Sequence, residues 1–334
     1  MSQLDYKFNI YLKKYMHLFI LLGRIFQYNI TKKVYQFPSV FQIQTIDACN
    51  GKCIMCPRSY QKYSKTKKMS DKLYNKILKE IADENSNFIW LWLYLQNEPL
   101  LDKDIFKKLE LAKKLTNNNL STALVTNGTL FNKNKIKELE NSKVDEIHFS
   151  IDAYTRETFE EIRKQLNFKK LLENIECVLN SNYSGRISVG YVIQNKNLKE
   201  IYDFENYWKN RGIPIDFTRI NSRSGDLANF NELAMNNYYP NFVQNLLYNF
   251  GKDLVHRCHH LFSIFNILAN GDVILCCNDY SKRIILGNVK DSSIKEIWRS
   301  EKYQNIRKLI HSKRFDKIPV CAECTIVKPR KIFL

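Results

Sequence analysis

Between residues 41 and 220 the chain alternates short apolar runs with longer stretches in which apolar positions recur at helical spacing. Residues 41–46 alternate apolar and polar with a β-branched bias and predict a strand. A basic stretch then becomes helix-periodic up to residue 86, with Ser70 placed to cap it. Residues 88–95 (FIWLWLYL) are almost continuously apolar, as a strand buried on both faces requires. Further strands are predicted over 122–126, 144–151, 186–193 and 215–220, and helices over 102–115, 132–141, 155–165, 168–179 and 198–211. That makes about six βα repeats. The expected fold is α/β, a parallel sheet curled into a partial, TIM-like barrel of six βα units. After residue 220 the rhythm stops, and an apolar run over 261–269, the turn Asn270-Gly271 and a helix over 294–309 predict a small hairpin-and-helix region. The expected organisation is an N-terminal helical extension (1–40), the barrel (41–220), a connection (221–255) and a C-terminal region (256–334).

Ligands gather at the carboxyl ends of the strands of such a barrel. Five stretches fall there: the loop after 41–46, Gln96-Asn97-Glu98-Pro99, Thr126-Asn127-Gly128, Ser150-Ile151-Asp152 and Gln194-Asn195. Each has an ordinary alternative, because Asn-Gly is a common turn and a Ser or Asp after a strand often caps a helix. Their shared edge is what makes one site of them.

The loop after 41–46 carries the chemistry. In IDACNGKCIMCPR (46–58), Cys49, Cys53 and Cys56 stand at C-x3-C-x2-C. Thiolates suit zinc or an iron–sulfur cluster, and a structural zinc site closes with four ligands. Only three are local here. On a cubane cluster three cysteines leave one iron open to a substrate or cofactor; a zinc loop completed by a distant Cys or His is the other reading. A second group follows: Cys258 and Cys276 at C-x12-G-x4-C around Gly271, then Cys321 and Cys324 as C-x2-C. Four cysteines close either a zinc ribbon or an iron–sulfur cluster. Cys277 is an alternative to Cys276, although the spacing from Gly271 favours Cys276. Cys177 lies in a helical pattern and reads as packing, and His256, His259 and His260 flank Cys258 as further candidate ligands.

Composition narrows the setting. With 44% hydrophobic and 26% charged residues among 334, the chain is an ordinary globular one. Nine cysteines, seven of them in metal-like spacings, point to a reducing, cytoplasmic compartment and not to a disulfide framework. The net charge of +18 is compatible with nucleic acid, an anionic membrane surface or an acidic substrate, and equally with compositional bias, since the lysines are spread along the chain. The apolar run between Lys14 and Arg24 is too short to span a bilayer, for which about 20 residues are needed. It also lacks the cleavage site of a signal peptide. Its three readings are a helix packed on the barrel, a basic helix resting peripherally on a membrane, and part of a partner site.

The three-cysteine loop, with Met55 in the apolar position before Cys56, resembles the C-x3-C-x-Φ-C signature of the radical S-adenosylmethionine (SAM) superfamily. The resemblance implies a [4Fe–4S] cluster whose open iron chelates SAM, reductive cleavage of SAM to a 5′-deoxyadenosyl radical, and abstraction of a substrate hydrogen. Gln96-Asn97-Glu98-Pro99 is similar to the family's GGEP stretch near the SAM amino group, with both glycines replaced, and Ser150 to Arg163 is similar to the segment holding the SAM carboxylate. By the same resemblance Thr126, Asn127, Asp152 and Gln194 join the cofactor-binding set. Residues 271–279, 286–289 and 294–298 resemble the SPASM or twitch extension of that superfamily, which implies that Cys258, Cys276, Cys321 and Cys324 hold one auxiliary [4Fe–4S] cluster. No cysteine follows Cys324, which matches the shorter, single-cluster form. The resemblance implies an oxidoreductase resembling the amino-cyclitol dehydrogenase, acting on a small polar sugar- or cyclitol-like molecule, with Asp279, Asp272 and Arg223 as candidate catalytic groups. A reductant such as flavodoxin or ferredoxin is the implied protein partner, and nucleic acid is not the expected one. Peptide maturation or epimerisation, RNA modification and a zinc-stabilised interaction protein are the alternatives; forty residues before the barrel are too few for a peptide-recognition domain.

Overall fold

The computed structural model describes residues 36–61, 67–84, 89–234, 258 and 260–326. The apolar run of the N-terminal extension, most of the connection, His256 and His259 lie outside the described residues. Six parallel strands pair in chain order: β1 (Val40–Ile43), β3 (Trp90–Trp92), β4 (Ser121–Thr126), β5 (Glu146–Ser150), β7 (Arg186–Ile193) and β8 (Ile215–Arg219). Between them β2 (Lys52–Cys53) and β6 (Arg163–Lys164) form a separate antiparallel pair. The fold is α/β with a mostly parallel sheet, as the βα rhythm predicts.

The C-terminal strands extend this sheet. β9 (Ile264–Ile267) pairs parallel with the free edge of β1, β10 (Asp272–Ile274) pairs antiparallel with β9, and β11 (Ile285–Asn288) with β10. The resulting order is β11-β10-β9-β1-β3-β4-β5-β7-β8. The burial of β1 explains the arrangement: Val40, Phe41 and Ile43 are buried, as is every residue of β9, so the edge of β1 is covered by another apolar strand. Gly271 turns the hairpin with φ 93, and an added Cβ would stand 2.6 Å from Asn288 Oδ1.

Helices form where the periodicity places them. Ser70 accepts from the Leu73 amide and caps Asp71–Asp83, which buries Leu73, Tyr74, Ile77, Leu78 and Ile81 on one face. Burying such a side chain contributes about 1.5–3 kcal/mol. Phe168–Leu179 is capped by Asn167 over the predicted span.

Three predicted elements differ. The helix expected over 155–165 ends at Ile162, because Arg163 and Lys164 pair with β2 and Gln165 turns with φ 68. The helix expected over 294–309 is two, Ile294–Arg299 and Glu301–His311, broken at Ser300, whose side chain caps the second by accepting from the Tyr303 amide. The strand expected over 88–95 is Trp90–Trp92, since the Asn97 side chain takes the Leu95 amide out of the ladder. No described helix is long and apolar enough to cross a membrane.

Candidate functional site

The three-cysteine loop leaves β1 and is stiffened from within. The Cys56 amide donates to Cys53 O (3.1 Å), the Ser59 amide to Cys56 O (3.0 Å) and Ser59 Oγ to Cys53 O (2.7 Å). Arg58 Nη1 pairs with Asp47 Oδ1 at 2.6 Å and Nη2 with Asp47 O at 2.8 Å, closing the loop on itself. The Ile54 amide donates to Ile162 O (2.9 Å), which ties the loop to the segment bearing Arg163. All three cysteines are free thiols. Burial, with the Glu98 carboxylate next, pushes Cys49 up to about 11, and burial pushes Cys53 up to about 12. Met55 is buried against Ile162 and Leu233.

The other strand ends converge on this loop. Glu98 is a hub: Oε1 accepts from Thr126 Oγ1 (2.6 Å) and the Leu100 amide (3.0 Å), and Oε2 from the Asn127 amide (2.8 Å). Burial raises its pKa, although the Asn127 amide and the Thr126 hydroxyl pull the other way. Pro99 opens a short helical turn beneath it. Asn127 Nδ2 donates to Asn50 Oδ1 (2.8 Å), joining the β4 end to the cysteine loop. Arg163 is buried, pairs through Nη2 with Asp152 Oδ2 at 2.6 Å, donates through Nε to Ile151 O (3.2 Å) and directs Nη1 at Cys53 Sγ, 3.8 Å away. Its carboxylate partner is Asp152, while Glu160 on the preceding helix pairs with Arg156. Ser150 closes β5. The Gln194 amide group is fully buried with neither polar atom hydrogen-bonded, and Asn97 Nδ2 is likewise unpaired. Burying a polar group without a partner is expensive, so both are consistent with positions that meet a polar ligand.

The second cysteine group assembles from distant parts of the chain. Cys258 lies within electrostatic reach of Cys324, Cys321 and Cys276. Burial pushes Cys258 up to about 12 and raises Cys321, while hydrogen bonding with Cys277 pushes Cys276 upward. Cys321 and Cys324 share one helical turn, the Cys324 amide donating to Cys321 O (3.2 Å). A tighter trio, His260 Nδ1 with the Cys276 and Cys277 sulfurs, lies within 4.8 Å, so His260 borders the group through both neighbours. Of the candidate catalytic acids, Asp279 is fully buried and accepts from the amides of Arg283 and Ile284 (both 3.0 Å), and Asp272 is held by Asn270 and Asn288 at the hairpin turn.

The two groups are joined by Gln96, from the stretch the sequence places at the site, and bordered by three residues that sequence reasoning missed, Gln44, Tyr94 and Tyr280. Gln96 Nε2 donates to Cys277 O (3.0 Å) and Asp279 O (3.2 Å), while Gln96 O accepts from Arg58 (3.2 Å). Gln44 Oε1 accepts from the Ala269 amide (3.2 Å). Tyr280 places its hydroxyl 3.7 Å from Cys56 Sγ, and Tyr94 lies within electrostatic reach of Cys277, Arg223 and Cys56. The replaced glycine at position 96 was the visible signal for Gln96. The tyrosines gave none, since Tyr94 sits inside an apolar run.

Grouped, half-buried to buried, unoxidised thiols with few hydrogen-bond partners suit thiolate coordination of iron, and a three-sulfur set beside an ion-paired arginine suits a cluster with one further ligand. Comparisons agree. The family described as the radical SAM superfamily matches residues 43–207, and the iron–sulfur cluster-binding SPASM domain matches residues 258–325. A GTP 3',8-cyclase of Limosilactobacillus fermentum is 25% identical over 53% of this chain, a match that spans about half (52%) of that relative's length. The S-adenosyl-L-methionine-dependent 2-deoxy-scyllo-inosamine dehydrogenase of Niallia circulans is 20% identical over 86% of this chain and 93% of its own. The crystal structure of BtrN in complex with AdoMet and 2-DOIA aligns with TM-score 0.56 and 16% identity over 86% of this chain and 92% of that one, a likeness of fold. The domain matches imply SAM, a SAM-binding [4Fe–4S] cluster and an auxiliary iron–sulfur cluster as cofactors, and the zinc readings give way. The chain belongs to the radical SAM superfamily and carries a C-terminal SPASM-type iron–sulfur domain.

Proposed function

We propose that this protein is a radical SAM oxidoreductase of the dehydrogenase type, a partial (β/α)6 barrel with a single-cluster C-terminal extension, that oxidises a carbinol carbon of a small sugar- or cyclitol-like molecule. In this reading Cys49, Cys53 and Cys56 hold the SAM-binding cluster, and Cys258, Cys276, Cys321 and Cys324 hold the auxiliary one. When bound, the first cluster supplies reductive cleavage of SAM to a hydrogen-abstracting radical, and the second an acceptor for the electron left on the substrate carbon. Removing one hydrogen atom from C–H, one electron from the carbon and one proton from O–H yields the ketone. A flavodoxin- or ferredoxin-like protein would return electrons to the first cluster.

The protein's own part is placement. Arg163, held by Asp152 beside Cys53, is set to meet the SAM carboxylate together with Ser150. The Asn97-Glu98-Pro99 end of β3, with Thr126 and Asn127, would line the amino-group side, and the unpaired Gln194 would meet a polar group of the adenosyl moiety. Asp279 and Asp272 are engaged in turns, which favours structural roles for both.

The observation that carries the reading is the clamp between the two cysteine groups, in which Gln96 grips the carbonyls of Cys277 and Asp279 while Tyr280 reaches Cys56. Two cysteine groups tied together in this way would suit a pair of redox centres, one serving removal of a hydrogen and the other of an electron. The likeness to the inosamine dehydrogenase over 93% of its length supports the same chemistry. The test is anaerobic reconstitution, reduction and incubation with SAM and a panel of neutral, amino, carboxylated and phosphorylated cyclitols and sugars, with chromatographic detection of 5′-deoxyadenosine and of a product two hydrogens lighter. Absence of 5′-deoxyadenosine from the fully loaded protein overturns the radical reading. Its formation with a product isomeric with the substrate, one mass unit heavier when the reaction is run in deuterium oxide, overturns oxidation in favour of epimerisation.

A further inference from the structure

One side chain in the space between the cysteine groups bears a charge that no described carboxylate balances. Arg223 opens the turn Arg223–Gly225 beyond β8, where Arg223 (φ 48) and Ser224 (φ 58) both hold left-handed backbone. Such residues persist only where the surroundings over-determine them, at a cost of order 1–3 kcal/mol each. The surroundings here are the segment that carries Cys321 and Cys324. Ser222 Oγ donates to Glu323 O (2.6 Å), and the Ser222 amide donates to Thr325 Oγ1 (3.0 Å). A Cβ at Gly225 would come within 2.9 Å of the Glu323 side chain.

The strained turn delivers the guanidinium inward, where Nη1 donates to Asn278 Oδ1 at 2.9 Å. Other arginines of this region are ion-paired: Arg58 with Asp47, Arg163 with Asp152, and Arg283 with Asp226 and Asp279. Among the described residues Arg223 has no such partner, and the nearby acids are already engaged, Asp279 by the 283–284 amides and Asp226 by Ser281. The groups facing Arg223 are the phenols of Tyr280 and Tyr94 and the thiols of Cys56 and Cys277. Tyr94 forms no hydrogen bond through its hydroxyl to a described residue and lies within electrostatic reach of Arg223, Cys277 and Cys56. Arg223 is half-buried, and a cation drawn partly out of water is stabilised by a matching anion. A planar guanidinium donates two parallel bonds to a carboxylate or phosphate, and a phenol adds a third donor.

We propose that Arg223, with the Tyr94 hydroxyl, binds an anionic group of the substrate, a carboxylate or a phosphate, so that the substrate is an acidic or phosphorylated polyol and not a neutral or amino one. The inference rests on the reading of a substrate space between the two cysteine groups. It assigns Arg223 to recognition, not to proton removal, because a guanidinium stays protonated.

The test is an anion-binding measurement on protein reconstituted with iron and sulfide and loaded with SAM under anaerobic conditions. Inorganic phosphate and, separately, acetate are titrated against chloride at constant ionic strength, and the thermal midpoint is followed. Phosphate or acetate is expected to raise the wild-type midpoint. Arg223→Gln is expected to weaken that binding about tenfold or more, as loss of charge-assisted bonds implies. Tyr94→Phe is expected to weaken it by a smaller factor, and it carries the test alone where the arginine variant does not fold. A response to phosphate identifies a phosphorylated substrate, and one to acetate alone a carboxylic acid. If the wild type binds neither anion, or the variants that fold bind both as tightly as the wild type does, the proposal is wrong. If Arg223→Gln instead lowers iron content or alters the electron paramagnetic resonance of the reduced clusters, Arg223 is their counter-ion and the proposal is equally wrong. Because 5′-deoxyadenosine formation is scored separately, failure of the radical reading and failure of anion recognition give different results.

Discussion

The two cysteine groups are built on opposite principles. The first lies within one loop of eight residues, braced by backbone hydrogen bonds and the Arg58–Asp47 pair. The second draws on Cys258, on Cys276 in the loop after β10 and on Cys321 and Cys324 in and just after the short helix Pro319–Ala322, so it exists only once β9 and β10 have docked and the chain has returned. The first offers three sulfurs and an ion-paired arginine beside one of them; the second offers four sulfurs, with Cys277 and His260 crowding its edge. A local group can keep a ligand position free because the fold around it does not depend on closing it. A group assembled across the chain would double as a staple once loaded, and under the proposed four-cysteine ligation it would leave no open position, which suits electron transfer.

Substitutions separate these roles, and the largest effect is expected in the first group. Cys53→Ala removes a sulfur from a set that has none to spare, and 5′-deoxyadenosine formation should fall to background in the reconstituted protein. Cys324→Ala should leave some SAM cleavage while substrate oxidation drops, read as a falling ratio of ketone to 5′-deoxyadenosine. Loss of SAM cleavage in this variant alone would reverse the assignment. Arg163→Gln strands Asp152, a fully buried carboxylate, and should lower unfolding stability by about 3–5 kcal/mol in denaturant titration. A loss below about 1 kcal/mol would mean that the pair is not buried as described. Gln96→Ala releases the carbonyls of Cys277 and Asp279 and should cost about 1–3 kcal/mol, with the ketone ratio falling as the two groups loosen.

The smallest effect is one of pH. In metal-free protein burial holds Cys49 at about 11 and Cys53 and Cys258 at about 12, against an ordinary 9.0. The folded state therefore keeps protons that the unfolded chain releases. Stability from these thiols is complete below about pH 9 and is lost as pH rises toward 12. Iron binding needs thiolates and releases those protons, so the loaded protein should lack the slope. Urea midpoints across that range check both statements, and equal slopes in the two forms would contradict burial of free thiols.

What could be read from the chain follows the same division. The strand and helix periods gave six βα units because each βα unit is written in adjacent residues, and Ser70 and Asn167 marked helix starts by local chemistry. The three-cysteine loop was legible for the same reason. What was hidden is tertiary. Nothing near residue 163 announces that β2 would pull it out of a helix and set it against Asp152 and Cys53, and nothing near Tyr94 or Gln96 announces a hairpin nearly two hundred residues later. Even the break at Ser300 was masked, because the apolar spacing continues through it.

The seat of β1 between β3 and β9 also has a kinetic side. During synthesis the strand that launches the cysteine loop acquires its first neighbour early, yet its other edge stays bare until Ile264–Ile267 has left the ribosome. Contacts so far apart in the chain close slowly, and a bare apolar edge invites pairing with another nascent chain. A fragment ending before Ile264 should therefore accumulate as aggregate, and iron loading of the first loop should lag until the whole chain has been made.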